Sequence, residues 1–368
     1  MAKLMVITSR YTGRGHMSIT EALNEQFDKL GGITADVVDG FALLGSQGPY
    51  FSKFYNTVTR HAPKLWEKSF KMSSKSELIP DTVGYFLRRR FEHYIDECRP
   101  DAIVTVHPFF VGTVLDEMER IGLNIPFVCI VADPINVHPL WCDARATLTI
   151  CATEEAKRAA MDFGVPEERI TVTGFPTRQA FVDAARSASE RQPDPQRLSC
   201  LMLGGGGGAG EMEDFATTLL ENTPHSLTVV CGSNEKLRER LVESLSDRFY
   251  GRVNVKGFVS EMEKEYIASD VALLRASPNC LFEAIVTAVP IIITGALPGQ
   301  EQDNPKLCTE NGFGVVCDSS YLIGNCLDEL TANGCSRLKE MRSAAKAYRK
   351  LDSAYAAAKR IHEIVNKQ

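Results

Sequence analysis

Residues 4–23, LMVITSRYTGRGHMSITEAL, lead from an apolar run through a glycine-containing turn into a helical pattern. The apolar run predicts a buried strand, and the amphipathic residues from His16 onward predict a helix. A strand followed by a tight turn and a helix is typical of parallel α/β folds. Three interpretations of the turn remain open: it binds phosphate, it presents a catalytic group, or it only joins the strand to the helix.

The alternation of apolar runs and helical patterns continues along the chain. In the first half we predict helices at 16–30, 82–97, 110–121 and 154–163, separated by strands near 4–9, 34–39, 101–107, 127–133, 146–151 and 170–174. The pattern stops at 184–198, where small, charged and proline residues predict a linker. A second series follows, with strands near 198–203, 227–232, 252–258, 270–276, 289–294 and 313–318.

These two series predict two domains in a chain of 368 residues. The expected fold class is α/β, with two Rossmann-like doubly wound domains facing a cleft. We expect domains at 1–185 and 195–349, and a closing helix at 350–368 that either ends the second domain or returns to the first. Ligands of such sheets bind at the carboxyl ends of the strands.

The composition, 44% hydrophobic and 24% charged, is that of an ordinary globular protein. No apolar segment is long enough for a membrane span, and the start does not read as a signal peptide, so we expect a cytoplasmic protein. The 11 cysteines include no Cys-x-x-Cys pair. Reduced core thiols explain them better than a metal or redox site.

A run of five glycines, Gly204 to Gly208, lies between a predicted strand and a helix that begins near Gly210. Glycines let the backbone approach an anion closely, and the start of the following helix adds partial positive charge. The run lacks the Lys-Ser/Thr of a Walker loop and the acidic residue of the dinucleotide fingerprint. Phosphate binding is the favoured interpretation, with a flexible turn as the alternative.

Further polar residues follow later strands of the second series. Glu283 comes shortly after the segment RASPNC (275–280), so it lies in the first turns of a predicted helix, where a carboxylate can accept hydrogen bonds from ribose hydroxyls. The segment GQEQDN (299–304) offers amide and carboxylate groups suited to a sugar. Taken alone, Glu283 is more often a solvated helix residue, and only its neighbours favour the binding role.

The order of these motifs resembles that of GT-B glycosyltransferases, the group that contains the monogalactosyldiacylglycerol synthases, the processive diacylglycerol glucosyltransferases and, more distantly, the lipid II-forming N-acetylglucosaminyltransferase. The matching stretches cover about 300 residues, and together they are specific although each is weak: TGRGH (12–16), VHP (106–108), ADPINVHPLW (132–141), GFPTR (174–178), the glycine run, VKGFV (255–259) and GQEQDN.

The resemblance implies inverting transfer of galactose or glucose from a UDP-sugar to diacylglycerol or a related lipid, with the acceptor on the N-terminal domain and UDP on the C-terminal domain. His16 is then the general base and Asp133 a second catalytic group, and the acceptor side contains Arg14, Gly15, His107, His138 and Trp141. The implied donor site contains Gly205, Gly206, Gly207, Gly208, Phe258, Val259, Asn279, Glu283, Gln300, Glu301 and Asn304.

An imidazole that is neutral near pH 7 suits proton removal from a hydroxyl, and helix starts suit a departing diphosphate. No Asp-x-Asp occurs in the chain, so we expect no metal and no cofactor besides the UDP-sugar substrate. Ser277 and Asn279 stand where the family has glycines, so binding of the donor diphosphate by this turn is an open question. Arg14 also replaces a glycine, and either pairs with an anionic acceptor or faces solvent.

Residues 48–75 alternate aromatic and basic side chains, and residues 41–90 carry nine basic against three acidic groups in a chain of net charge −6. This composition suits an anionic membrane surface, which the resemblance favours over a hairpin packed on the domain core. The predicted docking residues are Phe54, Tyr55, Lys64, Trp66 and Lys68. We expect peripheral association with the cytoplasmic face of a membrane, and no nucleic-acid partner.

Three other functions remain open at this point. A transferase of the same fold can use a soluble or polyprenyl-linked acceptor. A UDP-sugar 2-epimerase has the same two-domain architecture but needs no acceptor. The altered turn at Ser277 is also compatible with a non-catalytic UDP-sugar-binding protein.

Overall fold

The computed structural model describes residues 1–10, 14–48, 50, 53, 78–204 and 209–366. For residues 78–86 and 209–210 it describes the backbone alone. The chain divides into two compact units. The first contains Met1–Arg178, Pro298–Gln300 and Asp352–Gln368, and the second contains Gln179–Leu297 and Glu301–Leu351.

The first unit is built on a sheet of six parallel strands. They are β1 (Ala2–Thr8), β2 (Ile33–Asp39), β3 (Ala102–Thr105), β4 (Phe127–Ile130), β5 (Leu148–Cys151) and β6 (Ile170–Val172). Their order in the sheet is β2-β1-β3-β4-β5-β6, and each neighbouring pair is parallel. The central strands are apolar and buried on both faces, as a covered parallel sheet requires.

Helices connect these strands. They are α1 (Gly15–Leu30), the single turn α2 (Gly40–Leu43), α3 (Leu78–Cys98), α4 (Val111–Arg120) and α5 (Glu154–Asp162). Helix α5 begins where the Thr153 hydroxyl accepts a hydrogen bond from the Ala156 amide, which is the usual N-cap. Helix α4 buries an apolar face that includes Val111, Val114 and Met118.

The second unit repeats the architecture with β7 (Ser199–Leu203), β8 (Ser226–Val230), β9 (Val253–Lys256), β10 (Val271–Arg275), β11 (Ile291–Gly295) and β12 (Gly314–Val316), in the order β12-β11-β10-β7-β8-β9. Its helices are α6 (Gln179–Ser187), α7 (Ala209–Asn222), α8 (Glu235–Leu245), α9 (Met262–Ile267), α10 (Pro278–Val286), α11 (Asn304–Glu310) and α12 (Ile323–Tyr348). All of its neighbouring strands are parallel.

The predicted α/β architecture with two doubly wound sheets is confirmed. All twelve predicted strands are present, and the four predicted helices agree with α1, α3, α4 and α5 to within a few residues. Two features were not predicted. Helix α6 extends to Ser187, so the irregular segment begins later than the predicted 184. Helix α12 is interrupted, because Asn333, Gly334 and Cys335 adopt positive φ angles.

The predicted closing helix is α13 (Ser353–Val365), and it belongs to the first unit. It packs against α1, and the Ser353 hydroxyl donates a 2.7 Å hydrogen bond to the Phe175 carbonyl. Small buried side chains, Ala354, Ala357 and Ala358, allow this close packing. Across the described residues, every helix is too short or too polar to cross a membrane.

Each sheet has one place where the strand order reverses. In the first sheet, β2 lies on one side of β1 and β3 on the other. In the second sheet, β8 and β10 flank β7 in the same way. Chain connections leave opposite sides of the sheet at such a switch point, which opens a crevice at the carboxyl ends of the two strands.

The contact between Gly40 and Phe110 gives a test of the first unit. A Cβ atom at Gly40 would lie 2.3 Å from Cε2 of the Phe110 ring, which is completely buried. We expect Gly40→Ala to lower the free energy of unfolding by about 1–3 kcal/mol, because neither backbone nor ring has room to move. Chemical denaturation measures this.

Gly112→Ala is the matched control. Gly112 lies inside α4, and the nearest atom to its added Cβ is 3.8 Å away. This variant should be neutral or more stable by up to about 1 kcal/mol, because alanine favours the helix. Equal stability of the two variants would contradict the packing described for Gly40.

Candidate functional site

The carboxyl ends of three neighbouring strands bring five predicted residues into one cluster. His16 is the second residue of α1, which follows β1. His107 follows β3, and Asp133, His138 and Trp141 lie in the segment after β4. We call His16, His107, Asp133, His138 and Trp141 the histidine cluster. It lies at the switch point of the first sheet and wholly within the first unit.

His16 is held in a low-dielectric position. The residue as a whole is half-buried, but its Nδ1 atom is enclosed, and no described group hydrogen-bonds to that atom. Burial lowers the pKa of His16 to about 4, and a hydrogen bond to the Val106 backbone acts in the opposite direction. The ring is therefore neutral at pH 7 and keeps a lone pair that can accept a proton.

His107 is the nearest aromatic neighbour of His16. Their ring centroids are 4.6 Å apart, and the Trp141 ring lies 6.2 Å from His16. Burial, followed by the proximity of His16, holds the pKa of His107 well below its ordinary value. Two adjacent buried imidazoles cannot both be charged at low cost, so this pair is neutral near pH 7.

The segments around His107 and His138 have the same pattern, Val-His-Pro followed by an apolar and an aromatic residue. Each forms a short 3₁₀ turn, Pro108–Phe110 or Pro139–Trp141. In each, the histidine Nδ1 accepts a hydrogen bond from the backbone amide two residues later, at 3.3 Å and 3.2 Å. Because Nδ1 is the acceptor, the proton of each neutral ring is on Nε2.

Asp133 is buried and hydrogen-bonded on both carboxylate oxygens. Trp141 Nε1 donates to Oδ2 at 2.7 Å, and Gln300 Nε2 donates to Oδ1 at 3.3 Å. Both partners belong to the same unit as Asp133. These bonds fix the orientation of the carboxylate and offset part of the cost of burying it. The predicted contact of Gln300 with a donor sugar stays a prediction.

The two residues before His16 differ in exposure. Gly15 is half-buried as the first residue of α1. Arg14 precedes the helix with a side chain that is 70% exposed, and its Nη2 lies 3.6 Å from Glu21 Oε1. An exposed ion pair at this distance contributes little to stability, and the predicted contact of Arg14 with an acceptor stays a prediction.

The second set of predicted residues follows β10 at the switch point of the second sheet. Helix α10 begins at Pro278, directly after this strand, which places Asn279 in its first turn and Glu283 in its second. Both residues are half-buried. The prediction that Glu283 lies early in a helix is confirmed. The Tyr266 hydroxyl, which the sequence did not single out, donates a 3.1 Å hydrogen bond to the Cys280 carbonyl in the same helix.

The loop before α11 carries Glu301 and Asn304. Glu301 Oε2 accepts a hydrogen bond from the Leu297 amide at 2.8 Å. Burial raises the pKa of Glu301, whereas this hydrogen bond and the positive charge of Arg275 act to lower it. Asn304 has no exposed surface, and its Nδ2 donates to the Ala276 carbonyl at 2.9 Å. Asn304 therefore secures the turn between β10 and α10, and its predicted contact with the sugar stays a prediction.

The remaining predicted residues differ in what the structure describes. Phe258 and Val259 follow β9, Phe258 is 58% exposed, and the predicted contact of both with uracil stays a prediction. Nine predicted residues lie outside the described part of the chain: Gly205, Gly206, Gly207, Gly208, Phe54, Tyr55, Lys64, Trp66 and Lys68. Among the described residues, no three His, Cys, Asp or Glu side chains could hold a metal ion together.

Comparison with known proteins identifies a family model for most of the first unit and relatives along most or all of the chain. Residues 16–177 match the family model for monogalactosyldiacylglycerol (MGDG) synthase, a range that contains the whole histidine cluster. A protein of Oryza sativa subsp. indica described as "Probable monogalactosyldiacylglycerol synthase 2, chloroplastic" is 30% identical over 337 residues, which are 85% of this chain and 70% of that protein. "Monogalactosyldiacylglycerol synthase 1, chloroplastic" of Arabidopsis thaliana is 27% identical, over 100% of this chain and 72% of its own.

Solved structures share the fold at lower identity. MurG of Acinetobacter baumannii has a TM-score of 0.65 and 14% identity, covering 99% of this chain and 100% of its own. The UDP co-structure of MnaA from S. aureus has a TM-score of 0.65 and 15% identity, covering 100% and 97%. The predicted GT-B fold is confirmed by these neighbours.

The buried imidazoles predict acid sensitivity. In the unfolded chain both histidines return to a pKa near 6.5, above the folded value of about 4 for His16. The unfolded state therefore binds more protons below pH 6.5, and stability falls as the pH drops from 6.5 towards 4. Thermal denaturation between pH 7.5 and 4.5 should show a smaller fall of Tm for His16→Gln than for the wild type.

His93→Gln is the control, because the His93 side chain is 73% exposed. Its Tm should follow the wild-type pH dependence. If His16→Gln and the wild type lose the same Tm over this range, His16 is not held neutral by burial.

Proposed function

The chain belongs to the monogalactosyldiacylglycerol synthase family and is a UDP-sugar-dependent glycosyltransferase, and on this premise we propose that it transfers galactose or glucose to diacylglycerol or a related lipid. Family membership favours transfer over 2-epimerisation, whereas the fold neighbours do not separate the two activities. In the proposed reaction the first unit binds the acceptor and the second unit binds UDP.

The observation that carries the proposal is the state of His16. A buried polar atom without a partner costs about 1–3 kcal/mol, and Nδ1 of His16 is one of five such side-chain atoms among the described residues. The ring of half-buried His16 is neutral at pH 7 and can accept the proton of a bound hydroxyl. This state supports His16 as the general base.

The proposed chemical step is a single displacement. The acceptor hydroxyl oxygen forms a bond to the anomeric carbon of the sugar while the bond from that carbon to the diphosphate oxygen breaks. The hydroxyl proton passes to His16, and the bonding electron pair leaves with UDP. Attack opposite the leaving group inverts the anomeric configuration.

Asp133 is the proposed partner of His16 in this step. Once His16 has accepted the proton, the cluster contains a buried cation, which a nearby carboxylate stabilises in a low-dielectric site. Asp133 is kept in place by the hydrogen bond from Trp141, whose ring centroid lies 6.2 Å from that of His16. His107 and His138 are proposed to lie on the acceptor side; both are buried and are held by the hydrogen bonds that their Nδ1 atoms accept.

The donor side is proposed to stabilise UDP without a metal. The chain has no Asp-x-Asp, and the start of α10 directs backbone amides and partial positive charge to the switch point after β10. The glycines at 205–208 are proposed to contribute further amides. Glu283 would accept hydrogen bonds from the ribose, Phe258 and Val259 would contact uracil, and Glu301 with its neighbours would meet the sugar.

The acceptor implies a membrane. A diacylglycerol is confined to the bilayer, so the enzyme has to bind the surface that contains it. Residues 48–75 carry the aromatic and basic side chains suited to an anionic surface, and we propose that they dock there on the cytoplasmic face.

Replacement of His16 tests the catalytic proposal. We expect His16→Ala to lower transfer from UDP-galactose or UDP-glucose to diacylglycerol in anionic vesicles by at least about a hundredfold, the usual scale for loss of a general base. UDP binding, measured by calorimetry, should stay within about twofold of the wild type, because His16 acts on the acceptor.

His93→Ala should retain full activity, because that histidine is exposed on α3. Near-normal turnover of His16→Ala would remove His16 from the mechanism. UDP binding without turnover on any lipid, soluble or polyprenyl-linked acceptor would contradict the transferase proposal, and product formation without an acceptor would indicate an epimerase.

Removal of charge tests membrane docking. Lys64→Gln, Lys68→Gln and Lys71→Gln together should weaken sedimentation with phosphatidylglycerol vesicles by at least about tenfold, since each lysine near an anionic surface contributes about 1 kcal/mol. The difference should shrink as salt is added. Lys236→Gln, Lys339→Gln and Lys350→Gln remove the same charge from exposed sites of the second unit and should have no effect. Equal weakening by both sets of substitutions would mean that only the net charge of the protein matters, and it would contradict docking through residues 48–75.

A further inference from the structure

The turn between β10 and α10 keeps its shape without the glycines that the family has at 277 and 279. Ser277 adopts φ −74° and ψ 137°, an extended conformation that does not require glycine. The Ala276 amide donates a 2.8 Å hydrogen bond to the Gly295 carbonyl at the end of β11, and the Ser277 amide donates to the Arg275 carbonyl at 2.8 Å. Hydrogen bonds therefore hold this turn, and glycine conformations do not.

The first amides of α10 have no partner within the helix. Pro278, its first residue, lacks an N–H group, so the amides of Asn279 and Cys280 are the first that can face a ligand. Within the described part of the chain, the Ser277 side chain does not cap them. The direction of these amides therefore depends on what fixes the turn before the helix.

The side chain of Asn304 fixes this turn from the neighbouring loop. Its Nδ2 donates a buried 2.9 Å hydrogen bond to the Ala276 carbonyl. Because a carbonyl only accepts, this bond identifies the nitrogen of the side-chain amide, and the other atom, Oδ1, is enclosed with no hydrogen-bond partner among the described groups. Since the peptide unit is planar, the same bond orients the link from Ala276 to Ser277, just before α10.

Asn304 is itself held in place by its own loop. Its backbone amide donates to the Glu301 carbonyl at 3.0 Å, and the Glu301 amide donates to the Leu297 carbonyl at 2.9 Å. The Glu301 carboxylate accepts a hydrogen bond from the Leu297 amide in return. These residues and the turn all belong to the second unit. Asn304 therefore joins a fixed loop to the start of α10.

Complete burial separates Asn304 from direct contact with a ligand. The residue has no exposed surface, so a donor sugar could touch it only after the residues that cover it had moved. Its amide makes one side-chain hydrogen bond and leaves Oδ1 enclosed, so its net contribution to the free energy of folding is small. The geometry that it imposes on the turn explains an asparagine at this position better than stability does.

We propose that Asn304 is a positioning residue for the UDP part of the donor: it holds the start of α10 in place and does not contact the sugar. The inference rests on the proposed function, because it needs the start of α10 to bind UDP. It replaces the sugar contact that the resemblance implies for this residue.

The test compares affinities for UDP and for a UDP-sugar by calorimetry, since UDP has no sugar to contact. Asn304→Leu removes the amide at similar volume, and Asn304→Ala removes it and leaves space. Each should weaken binding of UDP and of UDP-galactose or UDP-glucose by the same factor, at least about fivefold, the scale of one hydrogen bond. The stoichiometry should not change, whereas partial unfolding would lower the number of binding sites and leave Kd unaltered.

Steady-state kinetics give a second readout. In both variants KM for the UDP-sugar should rise, and KM for the lipid acceptor should stay within about twofold of the wild type, because the acceptor is proposed to bind the first unit. A rise of both KM values would contradict a role confined to UDP.

Asn311→Ala is the matched control. Asn311 Nδ2 also donates to a backbone carbonyl, that of Leu307 at 2.8 Å, but at the other end of α11. This variant should keep the wild-type affinity for UDP and for the UDP-sugar. If it weakens UDP binding as much as Asn304→Ala does, general loosening of α11 explains the effect and the inference is overturned.

The remaining outcomes separate this inference from the proposed function. If the Asn304 variants bind UDP normally and lose affinity only for the UDP-sugar, Asn304 contacts the sugar and the inference alone is overturned. Normal binding of both ligands would also overturn it alone. Absence of UDP binding by the wild-type protein would overturn the proposed function and this inference together.

Discussion

The parallel arrangement of the strands, with a single reversal of order beside β1, is the constraint on which the first unit depends. Parallel strands all end at one edge of the sheet, so residues distant in sequence, such as His16, His107 and Asp133, meet there without any further device. The reversal keeps the connections from covering the ends of β1 and β3. The same constraint acts on β7 and β10, where α10, the helix that follows β10, carries Glu283.

The side chains proposed to carry out the reaction at this edge of the sheet lower the stability of the folded state. His16 and His107 are buried as neutral rings beside one another, and the enclosed Nδ1 of His16 gains nothing from folding. The surrounding groups differ, because the Asp133 carboxylate and the Nδ1 atoms of His107 and His138 are each hydrogen-bonded. The unsatisfied hydrogen bonding is thus concentrated on the atom proposed to take the proton, which is the trade-off expected of an active site.

The sequence predicts the elements of this fold well, because twelve short apolar runs with helical patterns between them have few other interpretations. The resemblance to the family also implies that His16, His107, Asp133, His138 and Trp141 belong to one side of the site, and the general rule for parallel sheets places such residues after the strands. It does not predict the partners within the site. The bond from Gln300 to Asp133 joins residues 167 positions apart, and Tyr266 appears in the sequence as one more apolar residue of a short helix. The break in α12 is equally hard to predict, because Asn333 and Gly334 are its only signal in the sequence.

The packing of α13 against α1 has a consequence for how the chain folds during synthesis. Helix α13 completes the first unit, yet the ribosome makes it only after the whole of the second unit. The surface of α1 that α13 covers is therefore exposed throughout translation of the second unit, a period in which apolar surface invites aggregation or chaperone binding. The core of the second unit is built from residues between Leu198 and Met341, so this unit can fold before α13 has been made, and the first unit is completed last.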